Sequence, residues 1–247
     1  MTIEQLLPFL LIVAFGTYVQ TVTGFALGMI VLGCVAQLGL ASVTFTSVII
    51  SLLMLANGPI ALRGNLQHLD HKAMLWSLTG LFPALVAGVL LLNYLSSDFT
   101  QMLQWLLGAT IITGGLFIML KPEPLPQRSS HRSFAIAGAA AGIFGGLFSI
   151  AGPPLVYQLY RQPLSLQTIR LSLLAMFLVM NIIRLLVLGV QGLLTLEMLW
   201  TGLICIPVVA AFTLIGKRYP PPFSDTTMRR LAFALLIIIG ISLVISA

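Results

Sequence analysis

The chain has 247 residues, of which 59% are hydrophobic and only 7% charged. Soluble domains carry about 25% charged residues, so this composition excludes a soluble enzyme or binding domain and specifies a protein integral to a membrane. The net charge of +6 does not argue for a nucleic-acid partner, because Lys and Arg collect in the cytoplasmic loops of membrane proteins.

Taken in order, apolar segments run over 5–20, 24–38, 44–61, 73–93 and 99–120. After a linker come 134–148, 153–160, 168–190, 197–216 and 226–246. A helix of about 20 residues crosses a bilayer, and the long segments satisfy this. Segment 153–160 does not, since at 1.5 Å per residue it covers only about 12 Å. The linker 121–132, KPEPLPQRSSHR, is Pro-rich, charged and extended. Cys34 and Cys205 lie in apolar runs without partner spacing and read as packing residues. The first residues, Met-Thr-Ile-Glu, lack the basic start of a cleaved signal peptide, so the first segment is expected to be retained.

Gly142–Tyr160, GIFGGLFSIAGPPLVYQLY, starts as a Gly-spaced apolar helix and is expected to bend at Ser149–Pro154. Gly16–Gly28 is a degenerate copy, with Thr21-Val-Thr-Gly24 matching Ser149-Ile-Ala-Gly152 at an offset of 128. Asn57 matches Asn181 and Pro83 matches Pro207 at offset 124, and Ser97-Asp98 matches Ser224-Asp225 at 127. These ordered matches read as an internal duplication. The expected fold is therefore all-α and membrane-integral, with two inverted repeats of about five segments, 1–120 and 133–247, joined by a cytoplasmic linker at 121–132. Each repeat opens with a broken or re-entrant helix.

Charge sets the expected orientation. Counting five passages to the linker places Arg63, Lys72, Lys121, Arg128, Arg132, Arg161, Arg170, Lys217, Arg218, Arg229 and Arg230 on one side. The other side receives none, which is a positive-inside pattern. Both termini are then external, and an odd number of passages inverts the second repeat relative to the first.

The acidic residues all fall at segment ends or in loops, where Asp98 and Asp225 read as N-caps. There is no HExxH site, no phosphate-binding Gly-rich loop and no buried carboxylate pair. No enzyme, metal site or cofactor is expected. Arg184 is the exception, a cation about six residues inside the outer end of segment 168–190. Intramembrane charges mark function by default, although a long stem could instead snorkel to the interface. Asn181 lies three residues earlier on the same helical face. A guanidinium, an amide and helix N-termini together suit an oxyanion. Ser149, Gly152 and Pro153 would complete the site from the second repeat, and Gln20, Thr21, Thr23, Gly24 and Asn57 from the first. Gly142 and Gly146, spaced by four, read instead as close helix packing.

With these motifs in view, the sequence resembles the sulfite exporter TauE/SafE family of permeases. Gly142, Gly145, Gly146, Gly152, Pro153 and Leu155 fit the family's Gly-spaced run ending in Gly, Pro and Leu. Ala151-Gly152-Pro153-Pro154 departs from the richer Gly cluster, and the first copy is poorer still. The resemblance implies a bacterial inner-membrane secondary transporter for sulfite, an organosulfonate or a related sulfur-containing anion. It implies a small anionic substrate and a lipid bilayer as partners, no nucleic acid, and leaves a homo-oligomer open. An anion channel is the nearest alternative, and a membrane-embedded enzyme or an assembly subunit is less well matched.

Overall fold

The computed structural model describes residues 3–98, 100–119, 124–150, 152–220 and 225–246. Ala151, Lys121, Glu123 and Ser224, and the side chains of Ser97, Asp98 and Asp225, lie outside the described set. The capping reading of the two aspartates and part of the linker therefore fall there too.

The described residues form ten α-helices and one short 3-10 turn, Leu66–His68, and contain no strand. The helices are α1 (Ile3–Thr23), α2 (Leu27–Gln37), α3 (Val43–Leu62), α4 (His71–Asp98), α5 (Thr100–Met119), α6 (His131–Phe148), α7 (Gly152–Tyr160), α8 (Leu166–Val190), α9 (Leu196–Arg218) and α10 (Asp225–Ser246). Each matches one apolar segment of the sequence. Five of them, α1, α3, α4, α8 and α9, contain stretches long and apolar enough to cross a membrane.

Burial is distributed as a bilayer requires. Leu7, Phe82, Ile136, Leu186 and Ile238 point outward, each more than half exposed, while Arg184, Asn57, Asn181 and Gln20 are fully or almost fully buried. Only an apolar surrounding makes that arrangement favourable. Local signals start the helices. Ser42, Ser130, Ser165 and Thr195 each accept the N–H three residues on. Such caps typically contribute about 1 kcal/mol each.

The closest helix pair is α4 with α6, which run in the same direction. A Cβ at Gly138, Gly142 or Gly146 would collide with the carbonyl oxygens of Ser77, Leu81 and Leu85. From the other side, Gly80 and Gly88 press on the backbone of Ala135 and Ile143. Glycine is required at this seam because backbone meets backbone, so the packing reading of Gly142 and Gly146 holds. Elsewhere α1 packs on α9, α2 on α10, α7 on α5, α3 on α8 and α5 on α10. Cys205 is buried and Cys34 half-buried, both as free thiols.

Several described basic residues lie around the connection between α3 and α4. Lys217 Nζ donates to the carbonyls of Ile60 (2.9 Å) and Arg63 (3.3 Å). Arg128 Nη2 donates to Asp70 Oδ1 at 2.7 Å, and the same oxygen accepts the Ala73 N–H at 3.0 Å. Burial alone would raise the Asp70 carboxyl, but the Arg128 hydrogen bond and the backbone N–H outweigh it and hold the carboxyl below its ordinary value. A depressed folded pKa means the contribution is fully present above the unfolded value near 3.9 and is lost as pH falls through the folded value. Asp70→Asn retains the cap and loses the charge. It should cost at most about 1 kcal/mol at neutral pH, because Arg128 is partly exposed. Thermal melts of the detergent-solubilised protein should find the two forms converging at acidic pH.

Candidate functional site

The helix α1 persists through Thr21 and Thr23, later than the sequence pattern suggested. The Thr21 hydroxyl bonds back to the Thr17 carbonyl at 2.8 Å, a pattern compatible with an unbroken helix, while the Thr23 hydroxyl lies 2.7 Å from both the Val19 carbonyl and the Phe25 carbonyl across the break. The break is Gly24 to Ala26, with φ of 87° and 93° at those two residues. Gly24 is required on two counts. It adopts a left-handed φ, and a Cβ there would lie 3.2 Å from Arg170 Cα. The Gln20 side chain crosses the break and accepts the Leu27 N–H at 2.9 Å, satisfying a first-turn donor of α2.

The second break starts at Ser149, with φ 59°. Its N–H closes α6 on Gly145 O at 2.9 Å. Gly152, Pro153 and Pro154 are already helical and form the first turn of α7 rather than a bend, a position that proline tolerates because its missing N–H would be unsatisfied there. The anion donors expected at α7 are thereby reduced, since two of its first N–H groups do not exist. Pro153 faces α5, close enough that a Cβ on Gly114 would lie 2.8 Å from its Cγ.

The two breaks meet. A Cβ on Gly28 would lie 3.1 Å from Ile150 Cγ1 and 3.3 Å from Ser149 O. Between them is a cavity of about 20 Å³, walled by Gln20, Ala26, Gly28, Ser149, Phe177 and Asn181 among others, enough for about one water molecule.

A hydrogen-bonded chain leads away from this cavity. Ser149 Oγ donates to Asn181 Oδ1, and Asn181 Nδ2 donates to Phe177 O at 2.8 Å. Ser149 Oγ also lies 3.0 Å from Ser51 Oγ. Ser51 Oγ accepts from Arg184 Nη1 at 2.9 Å. Arg184 is fully buried and donates further to Ser47 O (3.1 Å), Ser47 Oγ (2.9 Å) and Gly146 O (3.0 Å). A guanidinium has five N–H donors, and these four bonds all end on neutral oxygens. Arg184 therefore does not snorkel. It ties α8 to α3 and α6, and no carboxylate is among these partners.

Of the residues singled out from sequence, Gln20, Ser149 and Asn181 line the cavity, and Arg184 lies one hydroxyl away. Thr21 and Asn57 form a separate cluster with Thr213, where Asn57 Nδ2 donates to Thr213 Oγ1 at 2.8 Å and to Thr21 Oγ1 at 3.4 Å. Thr23, Gly24 and Pro153 shape the breaks and are not among the described residues that line the cavity, and Gly152 opens α7. Ser47 and Ser51 escaped the sequence reading. Their signal was a pair of hydroxyls at i, i+4 on one face of an otherwise apolar helix. Among the described residues no group of His, Cys, Asp and Glu could hold a metal ion.

Comparisons with known proteins place the chain in a family. The family model for the sulfite exporter TauE/SafE matches residues 9–243. A curated relative from Cupriavidus necator, named "Probable sulfite/organosulfonate exporter TauE", is 47% identical over 250 residues, covering 100% of this chain and 98% of its own. No solved structure matches the chain. With the family match spanning nearly all of its helices, the chain belongs to the sulfite exporter TauE/SafE family, whose members are membrane transporters and not enzymes.

Proposed function

We propose that the protein is a secondary transporter that moves sulfite, an organosulfonate or a related sulfur-containing anion across the bacterial inner membrane. The observation that carries this reading is the fully buried Arg184 beside the meeting point of two helix breaks, held among the described residues by neutral oxygens. A permanent carboxylate partner would leave a salt bridge. Hydroxyl and carbonyl partners leave a positive charge that a doubly or singly charged oxyanion can take over by charge-assisted bonds. Gln20, Ser149, Asn181 and Arg184 are the proposed ligands. Thr21, Thr23, Gly24, Asn57, Gly152 and Pro153 are proposed to set the backbone that positions them.

The helix pairings support two inverted repeats, 1–120 and 133–247. The first helix of each half packs on the fourth of the other: α1 on α9, and α6 on α4. The second of each half packs on the fifth of the other: α2 on α10, and α7 on α5. The polar contacts repeat as well, since Asn57 reaches Thr21 as Asn181 reaches Ser149. Alternating access then follows from exchanging the roles of two related halves around a fixed site. The cavity of about 20 Å³ is too small for a sulfonate, so the site must open before it loads. The connection between α3 and α4, with the linker, is proposed to be cytoplasmic and both termini periplasmic.

Flux in proteoliposomes tests this reading. Sulfite and ethanesulfonate should move with saturable kinetics and compete with each other, while alkyl ammonium ions should not move. Flux that rises linearly with concentration would instead indicate an anion channel.

A further inference from the structure

The direction of each hydrogen bond between Arg184 and the cavity is fixed by the groups at the two ends. A guanidinium can only donate, so Ser51 Oγ accepts from Arg184 Nη1 at 2.9 Å. At the other end the Phe177 carbonyl can only accept. Asn181 therefore turns Nδ2 to it at 2.8 Å and presents Oδ1 to Ser149. That oxygen also only accepts, so the Ser149 proton goes to it. Ser149 Oγ lies 3.0 Å from Ser51 Oγ, and with its own proton committed it is the acceptor there. The Ser51 proton has one other acceptor, Ser47 O at 3.1 Å, but that carbonyl already takes an N–H of Arg184 at 3.1 Å. Arg184, Ser51, Ser149 and Asn181 thus form one row of donors running from the guanidinium to the cavity wall. Ser47, one turn away on α3, bonds the same guanidinium at 2.9 Å. Its own proton turns back to Thr44 O at 2.9 Å, so it leads nowhere.

Ser149 and Asn181 line the cavity, whereas Arg184 and Ser51 are not among the described residues that do. An anion seated there meets the Ser149 hydroxyl before it meets the guanidinium. We propose that Ser51 is a positioning residue of the anion site, passing the charge of Arg184 to the Ser149 hydroxyl. An anion oxygen that takes the place of Asn181 Oδ1 receives the Ser149 proton. Aligned donors in a row strengthen the last of them, and the cation behind it is weakly screened in a dry interior. Gln20 supplies a second donor from the first break. Its Nε2 bonds the Met54 thioether at 3.5 Å, a weak acceptor that an anion oxygen displaces. Two oxygens on one sulfur suit two donors that face one cavity. The assignment rests on the transporter reading and adds to it how the charge reaches the site.

The test is the ethanesulfonate dependence of flux in proteoliposomes, with protein amount normalised, for Ser51→Ala and Ser47→Ala. Each removes one hydroxyl acceptor of Arg184 from α3, so melting temperatures in detergent should fall alike. Only Ser51→Ala interrupts the row. Its half-saturating concentration should rise about tenfold, near the lower end of what a charge-assisted bond is worth, while maximal flux stays within about twofold. Ser47→Ala should stay within about twofold in both. In a Ser149→Ala background, Ser51→Ala should add less than about twofold, because the group it acts through is gone. Equal shifts in the two serine variants would reduce Ser51 to a structural contact and overturn the proposal. An unchanged or lower half-saturating concentration in Ser51→Ala would also overturn it, and would mean that the anion bonds Arg184 directly. So would a full tenfold effect that survives in the Ser149→Ala background. Unsaturable flux in the wild type would overturn the transporter reading and this proposal with it. Saturable wild-type flux with any of the three earlier outcomes would remove Ser51 alone.

Discussion

Gly142→Leu is expected to abolish the folded protein. A Cβ at Gly142 would already lie 2.5 Å from Leu81 O and 2.9 Å from Ala84 Cβ. The contact is backbone against backbone, so no rotamer can relieve it, and only separation of α4 and α6 makes room. Overpacking a core typically costs about 1–3 kcal/mol and occasionally more, and a collision with main-chain atoms belongs at or beyond the top of that range. A loss of about 3 kcal/mol corresponds to roughly 150-fold in the folding equilibrium. Gly142→Ala should also destabilise, by about 1–3 kcal/mol. Gly189→Ala makes the contrast. Its Cβ would meet Leu194 Cδ1 at 3.6 Å, an ordinary contact, and alanine is the better helix former by about 1 kcal/mol. Monodisperse yield and melting temperature in detergent check all three, and a Gly142→Leu protein with normal yield would refute the seam.

Arg184→Gln is expected to weaken apparent substrate affinity roughly 10- to 150-fold, because a charge-assisted hydrogen bond is typically worth about 1.5–3 kcal/mol. Arg184→Lys keeps the charge but loses the planar fork that reaches Ser47, Ser51 and Gly146 together. It should fall between wild type and Gln. The residue also ties three helices together, so part of its loss will be structural. Ser47→Ala separates the two roles. It removes one acceptor of Arg184 and leaves the charge, so stability should drop by about 1 kcal/mol while affinity stays within about twofold. Concentration-dependent flux with normalised protein is the measurement. Wild-type affinity in the Gln variant would remove Arg184 from the ligand set.

Arg184 itself stood out in the sequence as a cation in an apolar run, with snorkelling to the interface as the bland alternative, and the structure buries it fully. Its partners did not stand out. Ser47 and Ser51 are ordinary residues in an apolar helix until the fold brings α3 against α8. The helices were legible as apolar runs to within a few residues at each end, and Ser42, Ser130, Ser165 and Thr195 mark four starts. The breaks were found but displaced. Thr21 looked like a bend residue, yet its hydroxyl bonds one turn back within α1; Thr23 ends α1 with its hydroxyl 2.7 Å from both the Val19 carbonyl behind it and the Phe25 carbonyl across the break. Pro153 and Pro154 closed the expected bend and Pro153 also opened the expected short segment 153–160; the structure has both prolines in the first turn of α7, which starts at Gly152. Local polarity marks that a helix stops nearby. Which residue turns depends on where the left-handed φ falls, at Gly24, Ala26 and Ser149, and nothing in the identity of an alanine or a serine announces that.

The central claim is that a sulfur oxyanion binds where the two breaks meet. Ser149→Cys, in protein with Cys34 and Cys205 replaced by Ala, puts a thiol on the cavity wall. The thiol-specific reagent 2-sulfonatoethyl methanethiosulfonate is itself a small sulfonate and should modify that thiol from within the site. Ethanesulfonate should slow the modification saturably, with a half-maximal concentration equal to the one that half-saturates its own flux. Modification whose rate ignores ethanesulfonate, in a variant that still transports it, would place the substrate elsewhere in the protein.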